Sequence, residues 1–456
     1  MRGACTGETR YSMEWIDEYR QKLTTADEAV KAIKSGERVV VGHAYGQPQH
    51  LVEAMTANKD AYKDVEIVHM VSLSPAPYCS REMQGHFVHN SFFVGVNSRE
   101  AVNGGWAKYT PCYFSELPRL FQHRILPVGV TLCQLSPPDN DGNCSFGISV
   151  DYTKPAAESA RIIIAQINDR MPRTLGDASI HVSKLDHIVE YNEPLLELGR
   201  EKTGSSLMET EQYISKITAE MDIGRHCAEL IEDGACLQLG IGAIPDAVLP
   251  FLAEKKDLGI HTEMFSDGVV DLVQKGIING ARKNLHPGKL VANFLMGTRK
   301  LYDFVHENPM VEMYPVNYTN DPYIIGLNDK VVSINSCLQV DLLGQVASDT
   351  IGPVQFSGVG GQVDFIRGAA RSKGGKSILA FPSTAGGGKV SRIVPRLDAG
   401  AVVTTSRCDV HYIITEHGIA DLRGKSVRER AKQLIAIAHP DFRENLNEEI
   451  DKMHIL

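Results

Sequence analysis

The sequence predicts an α/β protein built as two similar open α/β domains, and three observations carry that expectation. Amphipathic helical patterns alternate with short β-branched runs along the chain, the signature of largely parallel sheets. A set of spaced residues recurs in the same order in both halves. The length of 456 residues accommodates about two or three domains, each large enough for its own core.

In chain order, Met13 opens the first patterned segment, MEWIDEYRQKL, so residues 1–12 read as an upstream-start extension. A helical pattern over 26–34 leads into a strand at 38–42 (RVVVG), and VEIVHM at 65–70 forms the next strand. RIIIAQ at 161–166 is a further β-branched strand. Near 200–215 the polar, Gly/Ser-containing stretch GREKTGSSLMETEQ marks a boundary, giving domains 13–205 and 206–456. A helix over 223–233 then leads into a strand at 235–240, followed by LGIHTEM at 258–264. Strands are expected at 290–295, 330–334 and 377–381, from LVANFL, KVVSI and SILAF.

The halves repeat one another. Ile33-x-x-Gly36-x5-Gly42 returns with the same spacing as Ile231-x-x-Gly234-x5-Gly240, with Pro48 and Pro245 close behind. Asp139-x-x-Gly142 returns as Asp341-x-x-Gly344, and Ser183-x-x-Asp186 as Ser406-x-x-Asp409. One such match is chance; three in the same order indicate two related domains.

Composition narrows the function classes. Lys and Arg number 47 against 56 Asp and Glu, a net charge of −9, which argues against a general nucleic-acid binder. No run of about 18 apolar residues is present to span a membrane, and MRGACTGETRYS lacks the apolar core of a secretory signal. Nine scattered cysteines without a C-x-x-C, and sixteen histidines without H-E-x-x-H, point to a reduced, cytoplasmic protein with no metal site.

Four segments carry candidate chemistry. LQLGIGAIPDAV (237–248) is a strand, a Gly-Ile-Gly turn and a helix, which offers backbone N–H groups to an anion or oxyanion. It is equally a plain βα turn, and Pro245 stands where a dinucleotide fingerprint needs glycine. GIHTEMFSDG (259–268) sets Glu263 near the carboxyl end of a strand, before the turn residues Ser266, Asp267 and Gly268. Pairing Ile260 with Ile67 aligns Glu263 with Met70, an acid where the other half is apolar. FSGVGGQVDFIRGA (356–369) clusters Gly358, Gly360 and Gly361 beside packing residues, so that backbone can approach a ligand. PSTAGGGKVSRIVP (382–395), with Lys389 and Arg392, loosely resembles a phosphate cradle without the order of a P-loop. His43, His69, His86 and His89 are available bases but suit structural roles, SPPDNDG (136–142) suits a turn, and Met70, Met264 and Met296 suit the core.

Together LQLGIGAIPDAV, GIHTEMFSDGVVDL, NFLMGTRKLYDF and QFSGVGGQVDFIRGA resemble the acetyl-CoA hydrolase/transferase family of CoA-transferases, from about Met13 to the C-terminus. The resemblance implies two similar α/β domains, a CoA-transferase-like internal duplication. It implies that Glu263 attacks the acyl-CoA thioester. It further implies that Gly240, Ile241, Gly242, Ala243 and Ile244 bind CoA and supply an oxyanion-hole amide. Gly358, Gly360 and Gly361 form the family's S-G-x-G-G run, in which Gly361 contacts CoA, and Asn320 of TNDP corresponds to an asparagine near the thioester. Some relatives carry a CoA-contacting lysine before a Gly-Gly pair; here that place is Ala385, which leaves Lys389 or Lys376 as substitutes. The implied reaction exchanges CoA between a short-chain acyl-CoA (butyryl or 4-hydroxybutyryl) and acetate, through a glutamyl-CoA thioester. It needs no cofactor beyond CoA itself and no metal; separately, the chain is expected to form a homodimer or larger homo-oligomer. The alternatives are an acetyl-CoA hydrolase, an NAD-binding oxidoreductase built on GIGAIP, and a catalytically inactive CoA-binding scaffold.

Overall fold

The computed structural model describes residues 8–199, 210–240 and 242–453. The chain forms two compact units, Met1–Arg200 with Asn293–Tyr318, and Glu201–Ala292 with Thr319–Leu456. The segment Asn293–Tyr318 thus belongs to the first unit, an excursion that a single cut between 205 and 206 does not contain.

The first unit is an all-parallel sheet of β1 (Arg38–Val41), β2 (Val65–His69), β3 (Phe87–Ser91), β4 (Lys108–Tyr109), β5 (Val130–Leu135), β6 (Ile162–Ile167) and β7 (His187–Glu190). Its order is β7-β6-β5-β1-β2-β3-β4. β1 is RVVV, with its three valines fully buried, because helices such as α1 (Gln49–Ala57) cover a parallel sheet and strands become apolar on both faces. Val39, Val41, Leu51, Val52, Met55, Ile67, Val130 and Leu132 share one core.

The second unit enters through α2 (Thr210–Glu229). Its strands are β8 (Cys236–Leu239), β9 (Gly259–His261), β10 (Leu290–Ala292), β11 (Val331–Asn335), β12 (Lys376–Ala380), β13 (Tyr412–Thr415) and β14 (Gly418–Asp421). They run in the order β14-β13-β12-β11-β8-β9-β10, parallel except for the β13–β14 hairpin. The five strands β6-β5-β1-β2-β3 therefore answer to β12-β11-β8-β9-β10.

The duplication holds at the level of single residues. Val39 pairs with Ile67 and Val130; Leu237 pairs with Ile260 and Val332. Gly36 and Gly234 both take φ of +75°. Their amides donate at 2.9 Å to Lys63 O and Lys256 O respectively. Asp139 Oδ1 accepts from the amides of Asp141 and Asn143, and Asp341 Oδ1 from those of Leu343 and Gln345, so SPPDNDG is a scaffold turn whose Asp-x-x-Gly geometry recurs in the second copy.

Element boundaries shift in five places. The helix expected at 26–34 is α-helical over Ala26–Ala29 and tightens to a 3-10 turn over Val30–Ala32. The helix expected at 223–233 ends at Glu229. The strands expected at 258–264 and 290–295 are broken, at Thr262–Glu263 and at Asn293. Ser266–Gly268 is not a free turn: Asp267 begins the helix α3 (Asp267–Gln274). No helix among the described residues is long and apolar enough to cross a membrane, and the eight described cysteines are free thiols.

Candidate active site

In open α/β sheets ligands meet the carboxyl ends of the strands where the strand order reverses. In the second unit that point lies at β8, from which the chain passes to β9 and β10 on one side and later to β11 on the other. The Gly-Ile-Gly turn follows β8 directly, and Glu263 follows β9 by two residues. Thr262, fully buried, places its Oγ1 3.1 Å from Leu239 O and 2.9 Å from Met264 O. It thereby ties the end of β9 to the end of β8.

Glu263 is half-buried, and two other segments converge on its carboxylate. Asn320 is fully buried and its Nδ2 donates to Glu263 Oε2 at 2.8 Å. The TNDP sequence explains its fixed position. Asp321 accepts from the amide of Tyr323 at 2.7 Å and caps the short helix Pro322–Ile325, with Pro322 in its first turn. The third segment is the glycine run. Gly360 takes φ of +55°, and Gly361 caps the helix α4 (Gln362–Arg371). A Cβ on Gly361 would fall 1.9 Å from Glu263 Oε2 and 2.4 Å from Asn320 Nδ2, so a side chain there would have to displace both groups. Val363, Phe365 and Ile366 bury the helix, and Gln362 Nε2 donates at 2.9 Å to Ser348 Oγ and Thr405 Oγ1. The glycine run is packed backbone, with Gly358, Gly360 and Gly361 all buried.

The turn after β8 is more open. Gly242 takes φ of +108° with nothing within 4 Å of a Cβ, so its glycine answers a backbone requirement rather than a steric one. Gly242 and Ala243 are exposed, whereas Ile244 and Pro245 are buried in the helix that starts there. Ile241 lies outside the described residues.

The expected phosphate contacts resolve differently. Arg392 is taken up structurally: it donates to Cys337 O at 2.6 Å and Leu338 O at 2.9 Å and lies over the ring of Phe381. Lys376 starts β12, at the opposite end of the sheet from Glu263, and bonds Leu230 O and Glu232. Lys389 is exposed on the hairpin of Thr384–Ala385 with Val390–Ser391, beside Gly386, Gly387 and Gly388, all at positive φ.

The first unit closes the equivalent place. Met70 is buried, and the Tyr152 hydroxyl bridges the two strand ends, accepting from the Met70 amide and donating to Val41 O. The four candidate histidines, all in this unit, are held in its fabric. His43 faces Asp151 at 3.2 Å and His69 faces the Tyr78 hydroxyl at 2.6 Å, while His86 and His89 bond the carbonyls of Tyr62 and Ile67.

Sequence reasoning did not single out His261 or Thr262. The signal was in the repeat: aligning Ile260 with Ile67 sets His261 opposite Val68, a second polar replacement on the same strand as Glu263.

Comparison with known proteins follows the whole chain. The sequence model of the acetyl-CoA hydrolase/transferase N-terminal domain matches residues 9–197, and that of the C-terminal domain residues 297–450. A 4-hydroxybutyrate coenzyme A transferase from Clostridium kluyveri is 60% identical over 440 residues, 96% of this chain and 100% of that protein. A butyryl-CoA:acetate CoA-transferase from Anaerostipes caccae is 39% identical, over 97% and 99% of the two chains. The crystal structure of a 4-hydroxybutyrate CoA-transferase from Porphyromonas gingivalis superposes with a TM-score of 0.80 at 46% identity, covering 96% and 99%.

Proposed function

The chain belongs to the acetyl-CoA hydrolase/transferase family and is a CoA-transferase, and from that premise we propose that it moves CoA between 4-hydroxybutyryl-CoA or butyryl-CoA and acetate, with Glu263 as nucleophile. The observation that carries the residue assignment is the meeting of Glu263, Asn320 and Gly361 at the carboxyl ends of the strands. The 4-hydroxybutyryl group is the preferred choice, on 60% identity against 39%.

The chemistry runs in four balanced steps. The Glu263 carboxylate attacks the thioester carbonyl, the C–S bond breaks, and CoA leaves as thiolate, giving an acyl-glutamyl anhydride. The thiolate attacks the glutamyl carbonyl and releases the first carboxylate, leaving a glutamyl-CoA thioester. Acetate attacks that thioester and re-forms an anhydride with release of CoA thiolate. The thiolate then attacks the acetyl carbonyl, giving acetyl-CoA and regenerating Glu263. The exchange is close to isoenergetic, so the protein supplies only a nucleophile, charge stabilisation and exclusion of water. Each tetrahedral oxyanion needs donors; backbone amides of the Gly240–Ile244 turn suit that role, and one such donor is typically worth roughly 3–4 kcal/mol. CoA is substrate here, and Gly358, Gly360 and Gly361 let backbone approach it.

The test is covalent. With acyl-CoA alone the enzyme should accumulate CoA on the peptide holding Glu263, at about one per chain, and borohydride should then inactivate it. Varied donor and acceptor should give parallel ping-pong lines. Glu263→Gln should lose both the label and transfer, by at least ~10³-fold in kcat. Intersecting lines without labelling would remove Glu263 from its role. Free CoA released faster than acetyl-CoA forms would make the enzyme a hydrolase.

A further inference from the structure

His261 is fully buried at the end of β9, two residues before Glu263. Its Nε2 lies 2.8 Å from Thr319 O. A carbonyl only accepts, so the proton is on Nε2. Nδ1 has no hydrogen-bond partner among the described residues. The ring packs edge-on to Phe365 at 6.5 Å, and Phe365 stands one helical turn after Gly361, whose carbonyl accepts from the Phe365 amide at 3.0 Å. One imidazole therefore joins the end of the strand that leads to Glu263, the backbone unit before Asn320, and the helix that Gly361 caps. The first unit has Val68 at the matching place, so a sheet of this kind does not need a polar group there to fold.

We propose that His261 is a positioning residue for the transfer reaction, acting as a neutral Nε2–H donor that fixes the Thr319–Asn320 peptide and so holds Asn320 against Glu263. This rests on Glu263 being the nucleophile. Burial, and next to it the ammonium of Lys283, pull the imidazole down to about 3, so the ring stays a neutral donor across the working range and is not an acid–base group. The backbone anchor matters because Asn320 has a single short side chain with which to meet Oε2. A displacement of about 1 Å at such a contact is enough to cost roughly 100-fold in rate.

The experiment compares three substitutions in the full-length enzyme, with acyl-CoA as donor and acetate as acceptor. His261→Gln keeps an N–H at the reach of Nε2, His261→Asn stops at the reach of Nδ1, and His261→Phe keeps only the ring's bulk. The Gln enzyme should hold kcat within about threefold of the unaltered enzyme, while Asn and Phe lose about 10- to 100-fold, all with KM for acyl-CoA within about twofold. Equal kcat for the Gln and Asn enzymes, or losses in KM instead of kcat, would overturn the assignment. Should these variants not fold, ¹⁵N-histidine spectra of the unaltered protein decide: a neutral His261 with its proton on Nε2 from pH 5 to 8 supports it, and an Nδ1–H tautomer or a titration in that range sinks it. Covalent CoA on Glu263 of the unaltered enzyme is read separately. Its absence would refute the nucleophile, whereas normal labelling with equal Gln and Asn rates would refute His261 alone.

Discussion

At Gly361 a single missing carbon decides whether the carboxylate is accessible. A Cβ there would sit 1.9 Å from Glu263 Oε2, far inside van der Waals contact, and Val363 and Phe365 bury the helix against retreat. Gly361→Ala should therefore displace Glu263 and Asn320 and lower kcat by roughly 100-fold, measured by acetyl-CoA formation. Its φ is −94°, which any residue adopts, so the loss should appear in activity more than in thermal stability. Asn320→Ala removes the 2.8 Å bond to Oε2. A missing donor of this kind typically costs ~3–4 kcal/mol, so kcat should fall by about two to three orders of magnitude with folding retained. Activity within threefold of the unaltered enzyme would exclude Asn320 from the reaction.

At the scale of the element, the strand-entry turn separates backbone geometry from packing. Gly36 has φ of +75° and nothing within 4 Å of a Cβ, so Gly36→Ala tests conformation alone. It should cost ~1–2 kcal/mol of stability, read as a lowered denaturant midpoint, with transferase activity unchanged. Gly234, its counterpart at the same φ, also faces the Arg282 side chain at 3.3 Å and should tolerate alanine no better. These elements were legible because glycine spacing and β-branched runs are local properties. Breaks at Glu263 and Asn293 were not, because a strand ends where its partner's ladder ends, and the partner is distant in sequence.

Across the molecule, buried neutral histidines make acid the enemy of folding. Burial pulls His69 well below its ordinary value, His89 to about 4, and His261, next to Lys283, to about 3. The unfolded forms titrate near ~6.5. Above that pH neither state binds the proton and stability is flat. Below it the unfolded chain takes up protons that the native state refuses until the lower folded pKa is reached. His89 and His261 then each subtract ~1.4 kcal/mol per pH unit, on the order of 2 kcal/mol by pH 5, and His69 acts in the same direction. Urea midpoints should accordingly hold from pH 8 to 7 and drop between pH 6.5 and 5. His89→Gln should shallow the slope by close to one proton. An unchanged midpoint at pH 5 would show that these rings are not buried neutral.

Much of the candidate site stood in the linear order of residues. The repeat could be read from Gly36 and Gly234 and from Asp139 and Asp341, since turn geometry imposes glycine and Asx chemistry wherever the turn recurs. The same alignment exposed Glu263 against Met70, because a charged group at an apolar position of a strand is costly unless it has partners. What supplies those partners is not written locally. Asn320 lies 57 residues and Gly361 98 residues from Glu263 in the chain, and only the closing of the sheet brings them together. The same closing consumed Arg392 in carbonyl bonds and Lys376 in carbonyl and carboxylate bonds, Lys376 at the opposite end of the sheet from the nucleophile. It sealed the first unit's equivalent site with Tyr152. Residue type and periodicity determined which segments become strands, turns and a reactive acid; burial and hydrogen-bond satisfaction, which depend on every neighbour at once, decided which polar groups face that acid and which hold the frame.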